Sequence, residues 1–275
     1  MEKIELEVLK DTKLTLFLKE NLTKKFYRNL KSSNAKILVN GNSLELYKNV
    51  YVNDKVTIIY ENKVSGNWEL IKKDIKIVYE DDNYLVCYKE ENLLTIPTKT
   101  EERSLYQILL GYYDNKDAYV GFLNRLDKET SGLVLVSKNR YSTNLLQPAK
   151  EYITRKYYAL CKGKIICDMT ITANIEKCDD SNKRKVSKNG KFARTHLKVL
   201  KYIDDNTLVE LTLDTGRTHQ IRLHLSYINH PIIGDLLYGD TPYKRMCLES
   251  YYLEFVNPYS KEELKFQIDE DFLWL

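Results

Sequence analysis

The first sixty residues carry apolar positions at helical spacing, then at strand spacing. Leu14, Leu16, Phe17 and Leu18 precede Leu22, Phe26 and Leu30, which predicts two short helices with one apolar face. Thr23 is placed to cap the second, whose first turns hold Lys24, Lys25 and Arg28. Ile37-Leu38-Val39 followed by Asn40-Gly41-Asn42 predicts a strand entering a tight hairpin turn. Tyr51–Tyr60 supplies further strand. Lys63, Ser65, Gly66 and Asn67 break any period, so residues 1–62 read as one small unit and 63–73 as a linker.

From Ile75 the pattern belongs mainly to strands. Ile75–Glu80 and Tyr84–Lys89 flank an Asp81-Asp82-Asn83 turn. Tyr119–Leu126, Leu133–Ser137, Tyr157–Cys161, Ala193–Tyr202, Thr207–Leu213 and Leu248–Phe255 read as further strands. Ser104–Tyr113, Asn139–Glu151 and Thr218–Ile228 read as helices, with Pro148 disturbing the end of the second. Regular alternation of strand and helix is absent. The pattern predicts an α+β fold with a mixed, mostly antiparallel sheet over residues 74–275.

Composition changes this picture little. A chain of 275 residues, 43% hydrophobic and 30% charged, has room for one large unit and a small one. No apolar run is long enough to span a bilayer, and Met1-Glu2-Lys3-Ile4-Glu5 has no secretory signature. A cytoplasmic monomer without membrane partners is expected. The five cysteines form no C-x-x-C pair, which argues against a zinc site or disulfide framework.

Charge distribution says more than the net charge of +4. Residues 21–40 hold Lys24, Lys25, Arg28, Lys31 and Lys36 without an acid. Residues 183–194 hold Lys183, Arg184, Lys185, Lys188, Lys191 and Arg194, again without one. Such clusters can neutralise phosphates and release counterions, or serve only as solvated faces.

The sharpest candidate for chemistry is the run Asn124-Arg125-Leu126-Asp127-Lys128-Glu129-Thr130-Ser131-Gly132, set between apolar stretches. Read alone, Asp127 is a turn residue. An aspartate with a pKa of about 3.9 is nevertheless ionised at neutral pH and needs no adjacent base to act as a nucleophile. No Ser-His-Asp or Cys-His arrangement competes with it.

This run resembles the central motif of the RluA family of RNA pseudouridine synthases. The resemblance continues through Ile77–Val86, Arg155-Lys156-Tyr157-Tyr158-Ala159-Leu160, Gly190–Thr195, Leu213-Asp214-Thr215-Gly216-Arg217-Thr218-His219-Gln220-Ile221-Arg222-Leu223-His224, and His230–Asp235 with Tyr238-Gly239. The segments occur in the family's order across roughly residues 74–275. Residues 1–62 resemble the alpha-L RNA-binding domain, the S-four type of ribosomal proteins, with Lys25-Phe26-Tyr27-Arg28 where that domain carries a Ser-Arg pair.

The resemblance implies a pseudouridine synthase fold and conversion of uridine to pseudouridine in structured RNA. Large-subunit ribosomal RNA is favoured over tRNA, and no cofactor or metal is required. It implies Asp127 as the catalytic carboxylate, either attacking the substrate or abstracting a ribose 2′ proton. Arg222 would pair with Asp127 through a bidentate guanidinium that lowers the carboxylate pKa. Tyr157 would stack on the target base or serve as a proton-transfer group. Arg125 would fill the space of the extruded uridine or hold its phosphate. Lys24, Lys25, Arg28, Lys31, Arg184, Lys185, Arg217 and His219 would contact RNA. His219 and His224 are read as polar groups and not as metal ligands.

The family pattern is broken at Asn124, normally histidine, and at Glu90, normally proline after lysine. Altered anchoring of the Asp127 loop is the expected consequence of the first, and movement of the Glu91–Pro97 loop that of the second. Two other readings are a non-catalytic RNA-binding protein of the same fold and a glycosidase. A glycosidase needs a second carboxylate, for which only Glu129 lies nearby.

Overall fold

The computed structural model describes residues 2–31, 34–61, 68–98, 103–147, 153–179, 181 and 183–268. The N-terminal part runs through β1 (Glu2–Glu7), β2 (Thr12–Lys13), α1 (Leu14–Asn21), α2 (Lys24–Lys31), β3 (Lys36–Val39), β4 (Asn42–Ser43), β5 (Asn49–Val50) and β6 (Lys55–Tyr60). Antiparallel strands form a sheet ordered β1-β6-β3-β4. The β3–β4 turn has positive φ at both Asn40 (49°) and Gly41 (83°), the conformation that makes Asn-Gly a hairpin signal. Leu14, Leu18, Phe26, Val56 and Ile58 fill a core of this part's own. The edge strand β1 was not expected, because its apolar positions are only Ile4 and Leu6 among alternating charges.

The larger part contains β7 (Ile77–Glu80), β8 (Tyr84–Lys89), α3 (Leu105–Tyr112), β9 (Gly121–Phe122), β10 (Ser131–Ser137) and α4 (Arg140–Leu146). It continues with β11 (Thr154–Cys161), β12 (Met169–Thr172), β13 (Ile175–Lys177), β14 (Arg184–Val186), β15 (Arg194–Ile203), β16 (Asn206–Leu213), α5 (Gln220–Tyr227), β17 (Leu248–Val256) and β18 (Glu263–Gln267). The main sheet is ordered β12-β15-β16-β11-β17-β10-β8-β7, with β9 beside β10 and β18 beside β17. Its pairings are antiparallel except β10 with β17.

That parallel contact joins the two halves of the sheet through Ser131↔Glu249 and Gly132↔Ser250. Strand β10 is buried at every position. Val134 and Val136 enter the main core, while Leu133 and Leu135 enter a second core on the opposite face. This is the period of two expected of a strand between two layers.

Several sequence expectations change. The strand expected over Tyr119–Leu126 pairs only at Gly121–Phe122. Beyond it the Asn124 side chain replaces a backbone partner: its amide donates to Leu133 O (3.2 Å) and its Oδ1 accepts from Leu135 N (2.7 Å). The main chain is thereby free to leave the sheet. Residues 68–73 of the expected linker have no regular structure, yet Trp68, Leu70 and Ile71 pack against the main core. Ile71 N–H also donates to Gln107 O (3.0 Å). Residues 63–67, the linker's remainder, lie outside the described residues, as do residue 62 and residues 148–151 of the helix expected over Asn139–Glu151. Helix α5 begins later than expected because His219 is left-handed, with φ of 56°. Strands β12, β13, β14 and β18 are short or highly charged, and the apolar pattern did not reveal them.

Gly132 has φ of 121°, and a Cβ there would lie 2.3 Å from Ser250 O and 2.6 Å from Ser250 N. Both the conformation and the close approach require glycine. Gly132→Ala is therefore expected to destabilise the protein by at least about 2 kcal/mol in denaturant unfolding, since backbone must move on both strands.

Candidate active site

The Asp127 turn is clamped on both sides of the carboxylate. Upstream, the buried Thr95 hydroxyl donates to Leu126 O (2.7 Å) and accepts from Leu126 N (3.3 Å). Downstream, the fully buried Lys89 donates to Lys128 O (3.0 Å). The same ammonium donates to Glu90 O (2.8 Å) and Leu93 O (2.7 Å), so all three of its protons are used. Thr130 N–H closes the turn onto Asp127 O (3.2 Å). Asn124 thus anchors this loop to β10, and Glu90 faces Lys73 in an ion pair.

Helix α5 brings Arg222 to the same place. The expected bidentate pair with Asp127 is not formed. The guanidinium fork instead grips Asp235, with Nε to Oδ2 at 2.8 Å and Nη2 to Oδ1 at 2.7 Å. Only Nη1 turns toward Asp127, 3.1 Å from Glu129 Oε2 and 3.8 Å from Asp127 Oδ2. Arg222 and Asp235 are 3% and 1% exposed, so each needs the other's charge. Asp235 also accepts N–H bonds from Leu237 and Tyr238. Those bonds and Arg222 overcome burial and hold its carboxyl below the usual range. Burial opposes the charge of Arg222, but Asp235, Glu129 and Asp127 outweigh it.

The electrostatics of Asp127 also depart from expectation. Burial raises its pKa, and the nearby charges of His219, Arg222 and Lys89 only partly counter this, while Glu129 adds to it. Arg222 does pull the carboxyl toward ionisation, but it does not win. Burial pushes Lys89 down to about 7, against the pull of Asp127 and Glu129. Tyr157 lies on β11, 6% exposed within the main core, and burial first of all raises its hydroxyl pKa, with the Asp127 charge adding to it. Its hydroxyl stays protonated, which suits a stacking surface better than a base.

His219 sits at the start of α5, its Nδ1 2.9 Å from the Tyr238 hydroxyl. That hydroxyl accepts Arg184 N–H at 2.7 Å, which ties the basic β13–β14 hairpin to the site. Burial lowers the His219 pKa despite Asp127. His224 is structural: Nε2–H donates to Ala173 O (3.1 Å), leaving Nδ1 to accept from Thr195 (2.9 Å).

The remaining candidates are spread around this centre. Lys24, Lys25 and Arg28 are exposed on α2, while the Lys31 side chain lies outside the described part of the structure. Arg125 is exposed and lines a cavity together with Lys25. Lys185 is exposed and Arg184 half-buried on β14. Arg217 is exposed and donates through Nε to Phe192 O (3.0 Å). The sequence reading missed Lys89, Thr95 and Asp235 as site residues. Lys89 had one visible signal, a lysine closing the apolar strand Tyr84–Tyr88.

The fold has known counterparts. The chain superposes on human RNA pseudouridylate synthase domain containing 1 with a TM-score of 0.62 and 26% identity, covering 72% of this chain and 84% of that one. It is 32% identical to the uncharacterized RNA pseudouridine synthase YjbO of Bacillus subtilis, over 89% of this chain and 90% of the relative. It is likewise 32% identical to ribosomal large subunit pseudouridine synthase D of Vibrio parahaemolyticus, over 84% of this chain and 78% of the relative. Residues 83–227 match the RNA pseudouridylate synthase family model. The class defined by fold and site is thus the pseudouridine synthases, which are isomerases. The chain belongs to the RluA family within that class.

A raised carboxyl pKa makes ionised Asp127 unfavourable to folding. Above the folded pKa the charge must be kept in a half-buried site; below the unfolded value of about 3.9 both states are protonated and the penalty is gone. Asp127→Asn is therefore expected to be more stable than wild type at pH 8, with the difference shrinking as pH falls. Thermal unfolding from pH 8 down to about 4 measures this. A wild-type advantage at pH 8 would contradict it.

Proposed function

We propose that the protein converts specific uridines in structured RNA to pseudouridine, with large-subunit ribosomal RNA as the favoured substrate. The observation that carries this reading is Asp127 itself: a carboxylate of raised basicity on a turn clamped by Thr95 and Lys89, beside the buried Arg222–Asp235 pair. Such a group is preorganised and needs no movement to meet a substrate. Glu129, the only second carboxylate the sequence offered a glycosidase, accepts from Arg222.

A half-buried carboxylate whose pKa is raised is a stronger base than a free aspartate, which suits it to taking a proton. Asp127 removes the C2′ proton, and the electrons of that bond form C1′=C2′ as the N1–C1′ pair leaves with the uracil. The uracil turns over Tyr157, and C5 bonds to C1′ while Asp127 returns its proton to C2′. The C5 proton is lost and N1 gains one, so the change is an isomerisation. Arg222 steadies the ionised Asp127 before the first transfer and after the second. Arg125 compensates for loss of the uridine from its stack.

The N-terminal part, as an alpha-L-like domain, adds phosphate contacts from Lys24, Lys25, Arg28 and Lys31 on α2. Arg184, Lys185, Arg217 and His219 add them from the other side of the site. These contacts position the RNA, and loop shape selects the uridine.

Carbodiimide mapping of ribosomal RNA and tRNA should show a pseudouridine that disappears without the gene and returns with the wild type, but not with Asp127→Ala. The variant should still bind RNA within about threefold of wild type, because phosphate contacts supply most affinity. A site modified equally by Asp127→Ala would refute the role given to Asp127. Substrate RNA deuterated at C2′ of uridine should react with a normal primary isotope effect in single turnover. Equal rates would exclude Asp127 as the 2′ base.

A further inference from the structure

A cavity of about 600 Å³ lies between α2 of the N-terminal part and the α3, β9 and α4 region of the larger part. Its volume is in the range of roughly 300–1,000 Å³ usual for small-ligand sites. Asp127 is not on its wall, but Arg125, two residues earlier, is. Thr95, which clamps Leu126, is followed by Ile96 and Pro97, also on the wall. The cavity therefore begins where the catalytic turn begins.

Its lining has two kinds of chemistry. Trp68, Tyr119 and Phe122 present half-buried aromatic rings. Lys25, Arg125 and Arg140 bring three cations from three separate segments, and no acid lines the wall among the described residues. The Arg140 guanidinium lies over the Tyr119 ring, 5.9 Å from its centroid. Rings that bury a flat apolar face, ringed by cations, complement a base attached to phosphate. The exposed Gln147 at the end of α4 adds an amide able to pair with a base edge.

We infer that this cavity receives a second unstacked nucleotide, one belonging to the same RNA strand as the target uridine, with its base among Tyr119, Phe122 and Trp68 and its phosphate on Arg125 and Arg140. The inference rests on the RNA reading given above and adds a subsite to it. A uridine leaving a loop strains its neighbours, and a second pocket beside Arg125 would hold a neighbour out of the stack. Site choice would then depend on unpaired nucleotides next to the target as well as on the target.

Three variants test this: Tyr119→Leu removes the ring, Gln147→Trp fills the cavity from its exposed rim, and Arg140→Gln removes one charge. Thermal unfolding identifies any that fail to fold, and Gln147→Trp, altering only an exposed side chain, keeps the test open. Filter binding uses octauridylate, uridine monophosphate and large-subunit ribosomal RNA from cells lacking the gene. Tyr119→Leu and Gln147→Trp should weaken octauridylate binding roughly tenfold. Arg140→Gln should reduce the slope of log affinity against log salt by about one phosphate. Unchanged affinity and slope in folded variants would overturn the subsite. So would equal wild-type affinity for uridine monophosphate and octauridylate, which would make this a free-nucleotide site. Unchanged binding by variants that still form pseudouridine would overturn the subsite alone. Loss of octauridylate binding in variants of a protein that makes no pseudouridine would support the subsite while refuting the enzymatic reading.

Discussion

The site depends on the parallel contact between β10 and β17. One half of the sheet delivers the Asp127 turn, which runs into β10. The other delivers Tyr157 on β11. Both meet the same residue, Ser250, which pairs with Gly132 on one side and Tyr157 on the other. A register shift between Lys156 and Tyr157 falls at this place. Without a side chain at Gly132 the two backbones come close enough for the halves to face each other. Arg222 then closes the third side from α5. Groups far apart in sequence are brought together by strand pairing, whose geometry tolerates little displacement.

Charge is arranged around that junction at some cost. Three carboxylates, Asp127, Glu129 and Asp235, surround one guanidinium. The most buried carboxylate takes the best hydrogen bonds, and Asp127 is left with the weakest share. Giving Asp127 the bidentate pair would have held it ionised but less basic. The observed division holds Arg222 through Asp235 and leaves Asp127 more basic than a free aspartate. Lys89 adds a cation whose hydrogen bonds all go to backbone carbonyls, so it acts on Asp127 by field and by fixing the loop.

Much of this was legible in the sequence. The apolar periods gave most of the strands of the main sheet, and Asn40-Gly41 gave the β3–β4 turn of the N-terminal sheet. Asp127 and Arg222 stood in motifs specific enough to bring them together before any coordinates. What stayed hidden was set by tertiary context. Asp235 sits in a short loop where nothing local shows that its partner is Arg222. Lys89 reads as the polar end of a strand unless its complete burial is known. The edge strand β1 is charged because it is an edge, which is how such strands avoid pairing with other chains. Asn124, a departure from the family pattern, turned out to bond β10 through both ends of its amide.

The start of α2 carries one further consequence. Thr23 caps this helix by accepting Phe26 N–H through its hydroxyl (3.2 Å), while its own N–H donates to Asn144 Oδ1 on α4 (2.8 Å). Phe26 meanwhile rests near the Tyr141 ring, 6.2 Å between centroids. The small N-terminal part is thus latched to the larger one through the end of a helix. Swinging it away would strip a backbone donor of its acceptor, which favours a single seated position over a freely hinged one.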